Sequence, residues 1–231
     1  MTQLKQMSGD EFVTKLLAGE RDFRRIKLEK GYDVSAHERY KELRHKLCQP
    51  IDDLKENPIN LIQADLSYLH APELNLPYTK AAGAKLLCAD FHGSTFDEAN
   101  FSAANLSANL SYSNLQGTYF RNANLNGANL FAANLVGSFL TFANLSYANL
   151  SCANLYEASL GSSNCDGTNF ERADLSNADL ERIKNLSNAR RLSNVHFLNT
   201  KISREDIAVC KKALKERKSL IYESFWDTLN R

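Results

Sequence analysis

The residues with the most chemical capacity are five His and five Cys in a chain of 231 residues. His37, His45, His70, His92 and His196 are spread over every segment, and Cys48, Cys88, Cys152, Cys165 and Cys210 are equally scattered. A zinc site needs three or four ligands brought together. His45 and Cys48, three apart on an expected helix, supply two and no third accompanies them. An odd number of cysteines with no CxxC pair is not a disulfide framework, and it points to a reducing, cytoplasmic setting. The phosphate-binding patterns GxxxxGK[ST] and GxGxxG and the nucleophile pattern GxSxG are absent. Serine is abundant, but it recurs with a fixed period, so no single hydroxyl stands out as a nucleophile. The expectation is a protein that is not an enzyme, with no metal, no cofactor and no small-molecule substrate.

That fixed period is five. From Ala84 large apolar residues recur at Leu86, Phe91, Phe96, Phe101 and Leu106. A four-residue step leads to Leu110, and the step of five resumes through Leu115, Phe120, Leu125, Leu130, Leu135, Leu140, Leu145, Leu150, Leu155, Leu160, Cys165, Phe170, Leu175 and Leu180. Two residues before each of these centres stands Ala, Ser or Thr. Between the two, Asn or Asp dominates. A period of five is neither the 3.6 of a helix nor the 2 of a flat strand. One large and one small inward residue per five require a chain that turns a corner every five residues. Four sides then close a coil of about twenty residues, and coils stack at the inter-strand spacing of about 4.8 Å. Backbone groups pair with the coils above and below.

Blocks such as Ala123-Asn124-Leu125-Asn126-Gly127 and Ala143-Asn144-Leu145-Ser146-Tyr147 resemble the pentapeptide-repeat family, whose motif is A(D/N)LXX. The resemblance covers residues 84–182 and implies an all-β solenoid, a right-handed quadrilateral β-helix. About five regular coils are expected, with residues 59–83 as one irregular opening coil. There Ala64-Asp65-Leu66 is a clear repeat, but Ala71 and Ala81 occupy centre positions and Pro58, Pro72 and Pro77 intrude. The expected organisation is an N-terminal helical cap over 1–58, a β-helix over 59–202 and a C-terminal capping helix over 203–231. Glu20-Arg21-Asp22-Phe23, with Leu28 five further on, resembles the opening of many family members and could be a detached piece of coil. The helical flanks make the chain similar to cyanobacterial cytoplasmic members.

Rotating the centres over four sides gives core columns. Leu125, Leu145 and Cys165 share side one; Leu130, Leu150 and Phe170 share side two. Leu135 and Leu155 share side three, and Leu140 and Leu160 share side four. Cys165 is then an inert, buried thiol. Asn ladders, such as Asn109, Asn129, Asn149 and Asn169, suit hydrogen bonds between coils rather than a ligand site. Gly93, Gly117, Gly127, Gly137 and Gly167 each fall two after a centre, at the corner. The four-residue step at Leu106–Leu110 predicts an altered corner.

Stacked coils expose an apolar cross-section at both ends, which must be covered. Ser8 can cap a helix running to about Ala18, with Phe12, Leu16 and Leu17 on one face. Ser35 can cap a second over Ala36–Leu47, with Tyr40, Leu43 and Leu47 inward, and Asp52–Lys55 can add a turn. At the far end Leu192, Phe197 and Ile202 keep the spacing of five. Ser203-Arg204-Glu205-Asp206 reads as a capping signal for a helix with Ile207, Cys210, Leu214, Ile221 and Phe225 on one face and Trp226 near its end.

The net charge of +1 hides an asymmetry: residues 84–182 carry 4 Lys and Arg against 9 Asp and Glu, and residues 183–231 carry 11 against 5. Lys211, Lys212, Lys215, Arg217 and Lys218 make a basic tail, read as a solvated helix face rather than a nucleic-acid or membrane contact. No run approaches the roughly 18 apolar residues that span a bilayer, and Met1–Glu11 lacks the features of a signal peptide. Some members of the resembled family mimic DNA and inhibit type II topoisomerases, which requires carboxylates along a face. Between Ala99 and Tyr156 the one charged residue is Arg121, so that role is disfavoured. What the outer face does carry is aromatics. Tyr119 and Phe139 stack on side four with Phe142 and Arg121 beside them, the usual make-up of a protein contact. The expected function is a non-catalytic scaffold or interaction module with an unidentified protein partner, monomeric or dimeric.

Overall fold

The computed structural model describes residues 3–48 and 51–215. Its body is built from short parallel bridges four to a turn, each joining a residue to its counterpart one coil away. One column runs Asp22, Asn60, Lys80, Asn100, Tyr119, Phe139, Ser159, Asp179, Lys201. Its neighbours follow Lys27 to Lys184, Asp33 to Arg191 and Asn75 to His196. The bridging residue precedes each centre, and the centre's side chain turns inward. Leu125, Leu130, Leu135, Leu140, Leu145, Leu150, Leu155, Leu160, Cys165 and Phe170 are all fully buried. Each buried Leu or Phe contributes about 1.5–3 kcal/mol against exposure, most of it offset by lost chain entropy.

The corner has a local cause. The small residue's N–H donates to the carbonyl of the centre three before it, as Ala123 N does to Phe120 O at 2.9 Å. The second corner residue then lies in the left-handed region, as at Asn122 (φ 57°) and Gly167 (φ 64°). The bridging Asn favours this turn because its Oδ1 accepts the N–H two residues on, as Asn124 does from Asn126 at 3.2 Å; this is an Asx turn. At Gly167 there is a second reason for glycine: a Cβ there would lie 2.6 Å from Tyr147 Cδ1.

Several expectations need correction. The coil over 59–83 is not distorted: its rungs at Asn60, Asp65, His70 and Asn75 keep the five-residue step. Ala71 at the centre is matched by Leu69 in the small-residue slot, both buried. Large and small have changed places, a swap that cores tolerate. Regular rungs extend from Asn60 to Lys201, seven turns rather than about six. The last turn absorbs a seven-residue step between Lys184 and Arg191, where Leu186–Asn188 form a single 3-10 turn. The N-terminal segment is only partly helical, because Asp22, Lys27 and Asp33 bridge to Asn60, Asp65 and His70 as an incomplete coil of their own. Strand β1 (Lys5–Met7) pairs in parallel with β2 (Ile26–Leu28) at its edge.

Helix α1 (Gly9–Leu17) is capped by Ser8, whose Oγ accepts Glu11 N at 3.1 Å. The second helix, α2 (Tyr40–Leu47), starts four residues later than expected, and Ser35 does not cap it. Asp33 Oδ1 accepts from Ser35 N, Ser35 Oγ and Ala36 N. That fixes a 3-10 turn over Val34–Ala36, and His37 is extended before α2 begins. A short helix α3 covers Ile51–Glu56. Side three has no coil before Asn75; there Asn75 Nδ2 donates to Leu47 O at 2.7 Å, so the end of α2 covers the open edge. Helix α4 (Arg204–Lys215) has Ser203 Oγ accepting Asp206 N at 3.1 Å, and it buries Cys210. Leu214, Ile221, Phe225, Trp226 and the basic tail Lys211, Lys212, Lys215, Arg217 and Lys218 fall outside the residues whose side chains are described.

The four-residue step alters one corner without breaking a rung. Ala108 N donates to Leu106 O at 2.6 Å, a bond spanning one residue fewer than elsewhere. Asp90 still bridges Asn109, and Asn105 still bridges Asn124.

One buried group marks a weak point. Ser138 fills a small-residue slot with no exposure, yet its Oγ has no partner. In the same slot Thr118 donates to Phe96 O at 2.8 Å and Thr168 to Leu145 O at 2.7 Å. Ser138→Ala should therefore be neutral or stabilising, by up to about 1 kcal/mol, whereas Thr168→Ala should destabilise. Urea midpoints of the two variants check the contrast.

Candidate interaction surface

Three of the four sides carry amides that hydrogen-bond to one another between coils. On side two Asn169 Nδ2 donates to Asn149 Oδ1 (3.1 Å), Asn149 to Asn129 (3.3 Å) and Asn129 to Asn109 (2.9 Å). The chain ends where Asn109 Nδ2 donates to Asp90 Oδ1 at 2.9 Å. Side one repeats the pattern from Asn144 to Asn124 to Asn105, and side three from Asn134 to Asn114.

Side four departs from this. At two successive rungs the amide is replaced by Tyr119 and Phe139, whose rings stack at 4.7 Å and 10°. That separation is the rung spacing itself, so the backbone sets the stack. Phe120 N donates to Phe139 O at 2.8 Å, and Phe139 N to Thr118 O at 2.9 Å. The rings are 44% and 42% exposed, and Phe142 on the adjoining corner is 53% exposed. The Arg121 guanidinium lies 6.0 Å from the Phe142 ring centroid. Tyr119, Arg121, Phe139 and Phe142 are thus brought together on one wall. Toward the N-terminal end the wall opens into a cleft lined by Lys55, Pro58, Tyr78, Lys80, Glu98 and Tyr119. The middle of the wall carries flat apolar rings and one delocalised cation, and both gain from being covered by a partner surface.

Other candidates do not converge. Cys48 is exposed, and among the described residues no group of three or more His, Cys, Asp or Glu could hold a metal ion. Cys165 is buried beside Ser163 Oγ at 3.7 Å, and burial pushes its thiol up to about 12. It is unreactive at neutral pH. No described helix is long and apolar enough to cross a membrane.

The sequence reading missed one cluster. His70 Nδ1 lies 3.0 Å from Asp90 Oδ2, His92 Nδ1 lies 2.9 Å from Asp90 Oδ1, and His70 Nε2 lies 3.9 Å from Asp33. Extending the rung count back through residues 59–83 would have found it, because His70 and Asp90 then share a column. The cluster ties the incomplete first coil to the next two. Burial opposes ionisation of Asp90, but bonds from His92 outweigh it and hold the carboxyl below its ordinary value. A lowered carboxylate contributes stability that is full above the unfolded value of about 3.9 and is lost as pH falls through the folded one. Amide exchange at residues 20–34 should stay slow down to about pH 4 and rise below it. In Asp90→Asn that acid dependence should be reduced.

A solenoid with four bridges per turn, leucine centres and Asx-nucleated corners defines a repeat protein stabilised by neighbouring coils. The family description "Pentapeptide repeats" matches in 8 copies, over residues 79–108, 107–130, 123–161 and 153–184, so this stretch carries the repeats of that family. Among solved structures the chain is similar to HetL from the cyanobacterium Nostoc sp. strain PCC 7120, described as a pentapeptide repeat protein involved in heterocyst differentiation regulation. Identity is 21%, covering 84% of this chain and 94% of that one, with a TM-score of 0.42. It is also similar to Rfr23 from the cyanobacterium Cyanothece 51142, at 24% identity over 64% and 96% of the two chains, with a TM-score of 0.30. QnrB1, described as a plasmid-mediated fluoroquinolone resistance protein, matches at 19% identity over 68% and 92%, with a TM-score of 0.36. A search of curated protein sequences returned no match.

Proposed function

We propose that the protein is a non-catalytic scaffold of the cytoplasm that binds another protein through side four. The observation that carries this reading is the replacement of ladder amides by exposed rings at Tyr119 and Phe139, with Phe142 and Arg121 beside them. Aromatic residues and Arg dominate the energetics of protein contacts. A rigid wall presents them with little ordering cost on binding. Free cysteines, three of them exposed, accord with a reducing compartment.

Mimicry of DNA fits this wall poorly. A polyanion mimic needs regularly spaced carboxylates, and from Ala99 to Tyr156 the chain offers one charge, the cation of Arg121. Phe139→Ser with Phe142→Ser should keep the fold, losing the Tyr119 stack worth about 0.5–1.5 kcal/mol, and weaken partner binding by about 100-fold or more. Tyr112→Ser, at an exposed corner between sides two and three, is the control and should bind as wild type. Loss of binding in the control alone would refute the assignment.

A further inference from the structure

We propose that the partner of side four is a second copy of the chain, laid antiparallel across it. This rests on the reading of side four as a binding face. Side four runs Asn60, Lys80, Asn100, Tyr119, Phe139, Ser159, Asp179, Lys201, so that in a reversed copy Lys201 meets the neutral Asn60. The aromatic pair is at the middle. A neutral polar residue follows on each side, then one charge of each sign. With about 4.8 Å per rung, Lys80 and Asp179 each stand about 12 Å from the midpoint.

A two-fold axis lying in the face, between Tyr119 and Phe139, reverses this order on the second copy. Tyr119 then meets the partner's Phe139, and Lys80 meets the partner's Asp179. Symmetry repeats both contacts, as an isologous interface requires. The parallel alternative would set Lys80 on Lys80 and Asp179 on Asp179, so charge selects the antiparallel one. Asp179 Oδ1 accepts Glu181 N at 2.9 Å, and no ion pair joins Lys80 or Asp179 to another described residue. Both charges are therefore available across the interface.

The adjoining corner agrees. Arg121 faces the partner's Thr141 and Phe142, so the exposed Phe142 ring gains a second guanidinium. Ser102 and Ala103 face the partner's Gly161 and Ser162, small residues that allow close approach. Glu98 meets the partner's Glu157 at the rim, where both are exposed and salt screens them.

Sedimentation equilibrium on the full-length chain at about 0.15 M ionic strength, where the rim glutamates are screened, tests this, with circular dichroism to confirm folding. Wild type should be a dimer. K80D and D179K should each weaken dimerisation by about 10-fold or more. The double variant K80D/D179K restores opposite charges and should return to within about 3-fold of wild type. A wild-type monomer at about 100 µM, single variants as tight as wild type, or a double variant as weak as the singles would each overturn the proposal. If wild type is monomeric while F139S/F142S still loses a different protein partner, side four stands as a binding face and the dimer alone falls.

Discussion

Replacing Leu145 with Ala should lower the free energy of unfolding by about 2–5 kcal/mol. Leu145 has no exposure and sits in the column between Leu125 and Cys165. The wall around it cannot move in to fill the space. Leu145 N donates to Asn164 O at 2.8 Å, and Asn144 N to Ala123 O at 2.9 Å, so both neighbouring coils are pinned. A cavity that cannot collapse falls in the upper part of that range. In a stacked array each coil is held by its neighbours. The loss should therefore show first as faster amide exchange at the rungs of Asn124, Asn144 and Asn164, with the ends less affected. Leu87→Ala is the comparison: Leu87 is 38% exposed, and its loss should cost no more than about 0.5 kcal/mol. Urea unfolding that placed the two variants together would contradict the buried column.

Asn129→Ala should cost about 1–3 kcal/mol, although a polar outer residue is ordinarily replaceable. Asn129 Nδ2 donates to Asn109, its Oδ1 accepts from Asn149, and the same Oδ1 accepts Phe131 N at 3.2 Å to shape the corner. Alanine removes the acceptor of Asn149 Nδ2 and of Phe131 N, while Asn109 Oδ1 keeps its bonds from Ser111 N and Oγ. Asn129→Asp is the sharper test. It keeps both acceptor roles but sets a carboxylate against Asn109 Oδ1, with no proton between them. The neutral acid can donate there, so the folded state raises the pKa of the introduced carboxyl. A raised carboxyl destabilises above the folded value and is relieved as pH falls through it. The deficit of Asn129→Asp should therefore be large at pH 7 and shrink toward pH 4, while that of Asn129→Ala should change little. Parallel pH dependences would mean that the ladder bonds do not bear on stability.

The repeat was the most legible part of the molecule, because one inward position in five and one small slot in five encode the coil directly. Leu125 through Phe170 could be placed in columns from spacing alone. The coil over 59–83 was misread because composition stood in for volume: Ala71 looked like a gap until Leu69 was seen to fill it. The start of α2 was misread for a different reason. Ser35 has the chemistry of a cap, but its hydroxyl donates to Asp33, and a competition between two adjacent capping residues is decided by geometry the sequence does not carry. Side four was legible as a column of rings. The reversed order of its flanking charges emerged only when Lys80 and Asp179 were assigned to rungs of that column.

Side four is proposed as the covered wall of the solenoid. A photo-crosslinking benzophenone side chain at position 139, in the full chain expressed in its own host, tests it against the same group at position 112. The expected result is a discrete adduct, to a second copy or to another protein, from position 139 and none from position 112. Adducts from position 112 with none from position 139 would contradict it.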